Sequence, residues 1–177
     1  LIQESGMDKL QAASVLILGI GGVGSYVAES LARSGVGTLI LVDGDRIAMS
    51  NCNRQIHANL ETIGLSKTMQ MKERIHSYAP NCNVVTYDMF YSAESNEQIF
   101  QNKIDFVVDA IDTMSCKLAI IQYCKEHNIP FISSMGMANR LDPTKIEITD
   151  LSKTNYDPVA KIMRNLVKKH RIRGKIP

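Results

Sequence analysis

The sequence predicts an α/β protein in which a mostly parallel sheet carries helices on both faces, followed by a C-terminal helical and basic segment. Two observations predict this class. Short apolar runs rich in branched residues alternate along the chain with stretches of helical periodicity, and the first run is followed at once by a cluster of glycines. Sustained alternation of this kind is typical of parallel strands joined by right-handed helical crossovers. Ligands of such sheets bind beyond the carboxyl ends of the strands.

The predicted elements follow from the local pattern. Short apolar runs bounded by turn residues predict strands at 14–18, 38–42, 83–87, 105–108 and 130–133. Apolar residues at helical spacing predict helices at 23–33, 67–78, 94–101, 114–127 and 157–169, the last with Pro158 in its first turn. The alternating segment 145–149 is interpreted as a further strand. We therefore expect a main domain over residues 1–155 and a C-terminal segment over residues 156–177.

Composition argues against several protein classes. Of the 177 residues, 45% are apolar and 21% are charged, which is ordinary for globular proteins and argues against disorder or a fibrous class. No run approaches the roughly 18 to 20 apolar residues that a membrane-spanning helix needs, and the start lacks a basic-then-apolar signal pattern. We therefore expect a cytoplasmic location.

The chain has four cysteines, at Cys52, Cys82, Cys116 and Cys124. They form no Cys-x-x-Cys pair, so the spacing gives no support for a structural zinc site. We expect reduced thiols, most of them buried, as in other cytosolic chains. His57 and His76 also lack a second ligand at metal spacing and are expected to be packing or surface residues.

Charge is distributed unevenly along the chain. The formal net charge is only +2, yet residues 161–177 carry seven of the 20 basic residues and no acidic residue. The seven are Lys161, Arg164, Lys168, Lys169, Arg171, Arg173 and Lys175. Such a run suits the phosphate backbone of a nucleic acid, and it equally suits a solvated helix end. Both interpretations stay open from the charges alone.

A glycine-rich turn follows the first predicted strand and opens the first predicted helix. It reads GIGGVGS and contains Gly19, Gly21, Gly22 and Gly24. Glycines let the backbone approach a phosphate closely, and the free amides and the helix dipole favour an anion. Asp43, about 20 residues further on, is placed to accept a ribose hydroxyl, as in Rossmann-like dinucleotide folds. We expect a nucleotide site, and the alternative is a tight turn without a ligand.

Three later features separate the candidate nucleotides. The segment 50–55 offers polar side chains and Arg54, whose planar guanidinium suits phosphate oxygens. Lys67 opens the next predicted helix, and Asp109 and Asp112 end a predicted strand with two carboxylates, the ligands that Mg²⁺ prefers. Cations and a metal ligand suit a triphosphate better than a nicotinamide. The alternatives are that Arg54 and Lys67 are ordinary solvated charges and that Asp109 caps the following helix.

Together these motifs resemble one family. The set GIGGVGS, VDGD, NRQIH, GLSK and DAID is similar to the ThiF/MoeB/HesA group, relatives of the ubiquitin-activating enzymes. The longer phrases AESLARSGVG, NRQIHANLETIGLSK, MKERI, DAIDT and LDPTKIEITDLSKTNYDP resemble the tRNA threonylcarbamoyladenosine dehydratases, from about Leu10 to Pro158. The resemblance thus covers nearly the whole chain.

The resemblance implies an ATP-dependent adenylating enzyme with a defined set of site residues. The implied nucleotide-binding residues are Gly19, Gly21, Gly22, Gly24, Asp43, Asp45, Asn51, Arg54, Gln55, Lys67 and Asp112. Arg54 and Lys67 would neutralise phosphate charge and Asp112 would hold Mg²⁺, which makes these three the implied catalytic residues.

The resemblance also implies a reaction and partners. ATP would activate the threonyl carboxylate of threonylcarbamoyladenosine in tRNA, and the carbamoyl oxygen would then close a ring and expel AMP. The implied partners are tRNA, a second copy of the chain in a homodimer, and sulfur-transfer proteins. With tRNA as the substrate, the charges of the basic segment lead us to expect that it contacts the tRNA backbone, and a solvated helix end stays the alternative.

Three other functions fit parts of the sequence. The first is adenylation of the C-terminal carboxylate of a ubiquitin-like sulfur carrier, but ThiF- and MoeB-type enzymes commonly carry two Cys-x-x-Cys pairs, and neither appears. The second is a nicotinamide-dependent oxidoreductase, which only the glycine turn and Asp43 support. The third is a nucleotide-binding scaffold without catalysis, against which the intact phosphate and metal set argues.

Overall fold

The computed structural model describes residues 2–177, which contain a five-stranded sheet with parallel pairing throughout. The strands are β1 (Ser14–Leu18), β2 (Thr38–Val42), β3 (Asn83–Tyr87), β4 (Phe106–Asp109) and β5 (Phe131–Ser133). Their spatial order is β3-β2-β1-β4-β5. The predicted parallel α/β class is confirmed, and the five strands of this sheet lie where the apolar runs predict them.

The helices are α1 (Gln3–Ala12), α2 (Gly24–Arg33), α3 (Lys67–His76), α4 (Asn96–Ile99), α5 (Met114–Glu126) and α6 (Pro158–Lys169). Two of them begin with side-chain caps, which satisfy amides that the first turn leaves free. Ser66 Oγ accepts a hydrogen bond from the Met69 amide before α3, and Asp157 accepts one from the Ala160 amide before α6. None of the described helices has the length and apolar character needed to cross a membrane.

Three elements differ from expectation. Segment 145–149 is not a strand, and Ile146 and Ile148 are exposed. The outer edge of β5, where a further strand could pair, is occupied by Pro177, because the Ser133 amide donates to the Pro177 carbonyl at 2.9 Å. The helix predicted at 94–101 is confined to α4 and a preceding 3-10 turn at Ala93–Ser95. Helix α1 has no counterpart among the predicted helices, because none of its side chains is buried and its pattern carries no apolar stripe.

The sheet separates two apolar clusters. Alternate residues of β1 point to opposite faces, as strand geometry requires. Val15 and Ile17 pack with α2 and α3, whereas Leu16 and Leu18 pack with α5 and α6. Helix α6 buries Met163 completely in the second cluster, so the basic C-terminal segment is anchored on the same core as the sheet.

The carboxyl end of β1 is the point from which the chain diverges. In register, Leu18 lies beside Val42 of β2 on one side and beside Asp109 of β4 on the other. The chain builds β2 and β3 on one side of β1 and then returns to build β4 and β5 on the other. Crossovers that diverge in this way leave a crevice for a ligand. Gly19 and Asp43 directly follow β1 and β2 at this crevice.

A charged cluster joins α2 to α3. Glu29 is only 7% exposed, and its carboxylate accepts hydrogen bonds from Arg74 Nε at 2.9 Å, Arg33 Nε at 2.8 Å and the Tyr78 hydroxyl at 2.9 Å. The Arg33 guanidinium also lies 3.9 Å from the centroid of the Tyr78 ring, within cation–π distance. Burial acts to raise the pKa of Glu29, but the hydrogen bonds from Arg74, Arg33 and Tyr78 outweigh it and hold this pKa below its ordinary value.

Replacing Glu29 with Gln should lower the free energy of unfolding by about 1 to 3 kcal/mol at neutral pH, because two arginines lose a buried ionic acceptor. A lowered folded-state pKa contributes stability that is complete above the ordinary value of 4.5 and is lost as the pH falls through the folded-state pKa. Urea unfolding at several pH values should therefore show the difference shrinking in acid. The exposed Glu61→Gln change is the control, with an effect within about 0.5 kcal/mol. A Glu29→Gln effect as large at pH of about 3 as at neutral pH would contradict this assignment.

Candidate functional site

The glycine turn between β1 and α2 presents free backbone donors. The amides of residues 21–23 have no hydrogen-bond acceptor among residues 2–177. They lie at the N-terminus of α2, where unpaired N–H groups and the helix dipole attract anions. Packing requires two of the glycines: a Cβ on Gly24 would lie 1.8 Å from the Gly19 carbonyl oxygen, and Gly19 itself has a φ of +86°. The turn is therefore a backbone cradle for an anion.

Asp43 ties the end of β2 to this turn. Its Oδ2 accepts a hydrogen bond from the Ile20 amide at 2.7 Å, and its Oδ1 accepts one from the Asp45 amide at 2.8 Å. Burial raises the pKa of Asp43, and the two backbone hydrogen bonds act in the opposite direction. Each carboxylate oxygen keeps a second lone pair that can accept a hydrogen bond from a ribose hydroxyl.

Lys67 is a buried cation with donors to spare. It opens α3, is 5% exposed, and donates one hydrogen bond from Nζ to Asp45 Oδ2 at 2.7 Å. The two residues meet because the loops that carry them pair, with the Ile47 amide donating to the Leu65 carbonyl at 2.9 Å. An ammonium has three donors, so two N–H groups of Lys67 are left for a ligand.

Arg54 lies against the glycine turn. A Cβ on Gly22 would lie 3.3 Å from Arg54 Cγ, so the aliphatic stem of the arginine covers the face of this glycine. The guanidinium is held through Nη1, which donates to the Ser50 carbonyl at 2.8 Å and to Asn53 Oδ1 at 2.9 Å. Its other N–H groups have no acceptor in the described part of the chain and can bind phosphate oxygens.

Gln55 and Asn51 play different parts. Gln55 is 5% exposed and lies beside Gly21, and its Oε1 has no hydrogen-bond partner within residues 2–177. A buried amide oxygen without a partner is a position where a donor on a ligand would be satisfied. Asn51 instead uses its Oδ1 to accept a hydrogen bond from the Ala48 amide at 2.9 Å, which shapes the loop that carries Arg54.

Asp112 lies at the same end of the sheet, on the loop after β4. Its side chain is exposed and forms no salt bridge within the described residues. The loop abuts the glycine turn, because a Cβ on Gly19 would lie 2.7 Å from the Ala110 carbonyl oxygen. No group of three His, Cys, Asp or Glu side chains able to hold a metal occurs in residues 2–177, so a metal at Asp112 would need oxygens from the nucleotide.

The predicted residues therefore form one connected group around the turn. Asp43 bonds the turn and the amide of Asp45, Asp45 pairs with Lys67, and Arg54 and Gln55 pack on the glycines. Asp112 lies on the loop that touches the same turn, but its side chain forms no hydrogen bond or salt bridge with these residues.

Known proteins match this chain over nearly its whole length. The model of the ThiF family matches residues 1–171. The chain belongs to the ThiF family. It is 46% identical over 172 residues to the tRNA threonylcarbamoyladenosine dehydratase of Bacillus subtilis, a match that covers 97% of this chain and 68% of that protein. The solved E. coli tRNA N6-threonylcarbamoyladenosine dehydratase in complex with ATP is 40% identical with a TM-score of 0.90, covering 93% of this chain and 68% of that one.

Within the ThiF family, the resemblance to the dehydratase branch is confirmed. This chain spans about two thirds of the length of the curated dehydratases it matches, between 63% and 68%. It is also similar, at 35% identity over 77% of its length, to an adenylyltransferase and sulfurtransferase of Dictyostelium discoideum, of which it covers 32%. The sulfur-transfer branch is therefore the more distant relative.

The ThiF-family chain carries a buried ion pair beneath the site, between Asp109 and Lys117. Asp109 is fully buried, and its Oδ2 accepts hydrogen bonds from Lys117 Nζ at 3.0 Å and from Ser133 Oγ at 2.5 Å. Lys117 Nζ also donates to the Ser134 carbonyl at 2.6 Å. Asp109 thus joins β4, α5 and β5 and is not free to bind a metal, which corrects the expectation of two available carboxylates. The sequence motifs do not indicate Lys117, whose only signal is its position on the helix after Asp109.

Phe90 is a second feature of this ThiF-family site that the motifs do not indicate. Its side chain is 71% exposed although it follows β3 at the carboxyl end of the sheet. A Cβ on Gly44 would lie 2.8 Å from Phe90 Cδ2, so the ring covers the backbone between Asp43 and Asp45. An exposed ring beside a ribose carboxylate offers a surface on which a base can stack.

His57 packs inside the protein. It is 4% exposed, and neither ring nitrogen has a hydrogen-bond partner within residues 2–177. Burial, together with the positive charges of Lys67 and Arg74, lowers the pKa of His57 to about 4, so the ring is neutral at physiological pH. His76 donates from Nε2 to the Cys82 carbonyl at 3.1 Å. Neither histidine joins the group around the turn.

Replacing Lys117 with Met should lower the free energy of unfolding by about 3 to 5 kcal/mol, because it leaves Asp109 as an unpaired buried carboxylate. The double variant Asp109→Asn with Lys117→Met removes both charges and should recover much of the loss. Urea unfolding measures both, and Lys72→Met is the control for removing a lysine without a buried partner, with an effect within about 0.5 kcal/mol. A Lys117→Met protein as stable as the wild type would show that the pair has no structural role.

Proposed function

We propose that this chain is the nucleotide-binding part of a tRNA threonylcarbamoyladenosine dehydratase. Such an enzyme adenylates the threonyl carboxylate of threonylcarbamoyladenosine and then closes a ring with release of AMP. The observation that supports the proposal is a set of hydrogen-bond donors without acceptors among residues 2–177: the three amides of the turn, the guanidinium of Arg54 packed on it, and the ammonium of Lys67, which Asp45 and Asp43 link to it. In this proposal residues 1–155 form the adenylation domain and residues 156–177 form a basic extension.

From the groups available at each position, we assign parts of ATP to parts of the site. The phosphates lie on the turn that contains Gly19, Gly21, Gly22 and Gly24, where the free amides and Arg54 and Lys67 offset their charge. The ribose lies at Asp43, and the base lies towards Phe90. Gln55 supports the turn beside Gly21, while Asp45 and Asn51 act by positioning Lys67 and Arg54.

The carboxylate of Asp112 is exposed and accepts one hydrogen bond from the Thr113 hydroxyl at 3.4 Å, which leaves it able to bind a Mg²⁺ ion that shares the oxygens of the nucleotide. When bound there, Mg²⁺ supplies further neutralisation of the polyphosphate. Mg²⁺ prefers hard oxygen ligands, and the carboxylate of Asp112 is such a ligand. Asp109 is not part of this set, because its carboxylate is enclosed with Lys117.

The chemistry follows from charge. An oxygen of the threonyl carboxylate attacks the α-phosphorus of ATP, and the bond from that phosphorus to the bridging oxygen breaks to release pyrophosphate. Two anions must approach each other in this step, so preorganised cations such as Arg54 and Lys67 stabilise the transition state. The carbamoyl oxygen then attacks the activated carbonyl carbon, the carbon–oxygen bond to AMP breaks, and a carbamoyl nitrogen loses its proton.

No thiol is needed for either step. Cys82 and Cys124 are buried, and burial raises the pKa of both thiols, that of Cys124 to about 12 with help from the Asp109 charge. These two thiols therefore stay protonated at neutral pH and are poor nucleophiles. Cys116 donates from Sγ to the Tyr91 carbonyl at 3.2 Å.

We also propose a setting for the reaction. The substrate is tRNA, the protein works as a homodimer in the cytoplasm, and sulfur-transfer proteins are its other candidate partners. The alternative acceptor is the C-terminal carboxylate of a ubiquitin-like sulfur carrier, which the similarity to an adenylyltransferase and sulfurtransferase favours. The residues around the turn serve adenylation of either carboxylate, so the acceptor has to be tested directly.

Single replacement of Arg54, Lys67 or Asp112 with Ala should slow tRNA-dependent AMP formation by about 10²-fold or more, because each removes charge stabilisation from the first step. AMP released per unit time is the measurement, with the melting temperature as a check on folding.

Three control variants accompany this test. Lys72→Ala and Asp8→Ala each remove one charge, of opposite sign, outside the group around the turn. Cys52→Ala removes the cysteine in the segment 50–55, which also carries Arg54. All three should retain AMP formation within a factor of about three, since none contributes to the transition state. The assignment fails if the triple variant of Arg54, Lys67 and Asp112 keeps wild-type activity, or if Cys52→Ala abolishes it.

Incubation with ATP, Mg²⁺ and tRNA bearing threonylcarbamoyladenosine should yield a nucleoside lighter by one water, with one AMP released for each. Mass spectrometry of digested tRNA measures the nucleoside, and chromatography measures AMP. An unchanged nucleoside mass, from protein that exchanges pyrophosphate into ATP with a ubiquitin-like protein present, would transfer the assignment to the sulfur-carrier reaction.

A further inference from the structure

A cleft of about 650 Å³ lies outside the nucleotide site, between α6 and the segment 172–177. Its floor is apolar and is formed by Leu151, Val167, Ile172 and Ile176. None of the residues assigned to ATP lines it. We call it the cationic cleft because of its rim.

The rim carries cations that the fold does not use. Arg164, Lys168 and Lys175 line the cleft. The ammonium groups of Lys168 and Lys175 make no hydrogen bond and no salt bridge within residues 2–177. Arg164 uses Nη1, which donates to the carbonyl and hydroxyl of Thr154, and leaves its other nitrogen donors free among these residues. Each of the three cations that line the cleft therefore has hydrogen-bond donors without an acceptor among the described residues.

The acidic residue at the cleft is already satisfied. Asp150 Oδ1 accepts hydrogen bonds from the amide and hydroxyl of Ser152, and its Oδ2 accepts one from the Ile176 amide at 2.9 Å. Its carboxylate holds the segment 172–177 in place and pairs with none of the rim cations. Four more exposed cations lie on α6 or in the segment that follows it, at Lys161, Lys169, Arg171 and Arg173. The lining of the cleft itself has three cations and one carboxylate, so its net charge is positive.

An apolar floor under a rim of free cations fits a polyanion that also carries flat rings. RNA offers both, because its phosphates bind Lys and Arg, and its unpaired bases pack on apolar side chains. A lipid surface fits less well, since the apolar stripe of α6 is already buried on the sheet through Ala160 and Met163 and cannot enter a bilayer. We infer that the cationic cleft is a second contact for the tRNA substrate, separate from the ATP site. This inference rests on the proposed function, which supplies tRNA as the partner.

The position of the cleft suits this role. Helix α6 begins at the carboxyl end of the sheet, because the Gly136 amide after β5 donates to Asp157 Oδ2 at 2.8 Å. The 12 residues of α6 then carry the chain about 18 Å away from that end. An RNA whose modified nucleoside enters the ATP site can therefore place a neighbouring part of its backbone along α6 and at the cleft.

The test compares two double variants with equal loss of charge. Lys168→Gln with Lys175→Gln neutralises the rim, and Lys9→Gln with Lys72→Gln neutralises two lysines on α1 and α3, outside the cleft. Affinity for tRNA bearing threonylcarbamoyladenosine is measured by fluorescence anisotropy over a range of salt concentrations, and ATP affinity by equilibrium dialysis. The slope of log K against log salt should shrink by about 1.4 to 1.8 in the cleft variant, because two phosphate contacts are lost. The control variant should keep most of the wild-type slope, and ATP affinity should be unchanged in both.

The outcomes separate the cleft from the proposed function. A cleft variant with the wild-type salt slope overturns the cleft inference, whereas the dehydratase reaction stands if the wild type still dehydrates tRNA. A wild type that binds no tRNA but adenylates a ubiquitin-like protein overturns both. If the cleft variant loses binding to anionic phospholipid vesicles while its tRNA slope is unchanged, the cleft serves a lipid surface and the inference is wrong.

Discussion

The close approach of the Gly24 backbone to the Gly19 carbonyl is the constraint on which the site depends. A Cβ at position 24 would lie 1.8 Å from that oxygen, and Gly19 reaches its own position only with a positive φ, beneath the Ala110 carbonyl. This packing brings the start of α2 against the end of β1, and the amides of residues 21–23 there have no partner in the described part of the chain. Asp43, Arg54 and Gln55 are positioned directly against this turn.

Charged groups in this protein fall into two sets that differ in how completely they are paired. Asp109 and Lys117 are buried, and Asp109 takes a further hydrogen bond from Ser133, as a charge pair inside a core must do to be tolerated. Lys67 and Arg54 keep donors without partners among residues 2–177, although Lys67 is only 5% exposed. Incompletely satisfied buried groups are costly unless a ligand completes them. The contrast therefore separates the charges that stabilise the fold from those that we propose to bind a polyphosphate.

The sequence predicts those features of the structure that neighbouring residues encode, and it does not predict those that depend on contacts between distant residues. Strands β1 and β2 are buried on both faces, so their runs are continuously apolar and are recognisable locally. Lys117 shows no such signal, because only the tertiary position of Asp109 makes a lysine on α5 a buried residue. Ile146 and Ile148 mimic an edge strand by alternation, yet the edge they would need is occupied by Pro177, which is remote in sequence. The position of Phe90 at the site likewise depends on its contact with Gly44, which is remote in sequence, so the residues next to Phe90 in the chain do not indicate it.

The central claim is that the carboxylate of the modified nucleoside attacks the α-phosphorus of ATP at the glycine turn. Its most direct measurement uses tRNA in which the threonyl carboxylate of threonylcarbamoyladenosine carries oxygen-18. The oxygen that bridges the adenylate comes from that carboxylate and leaves with AMP when the ring closes, so AMP recovered after the reaction should carry one heavy oxygen. Unlabelled AMP, or ADP as the nucleotide product, would contradict the account.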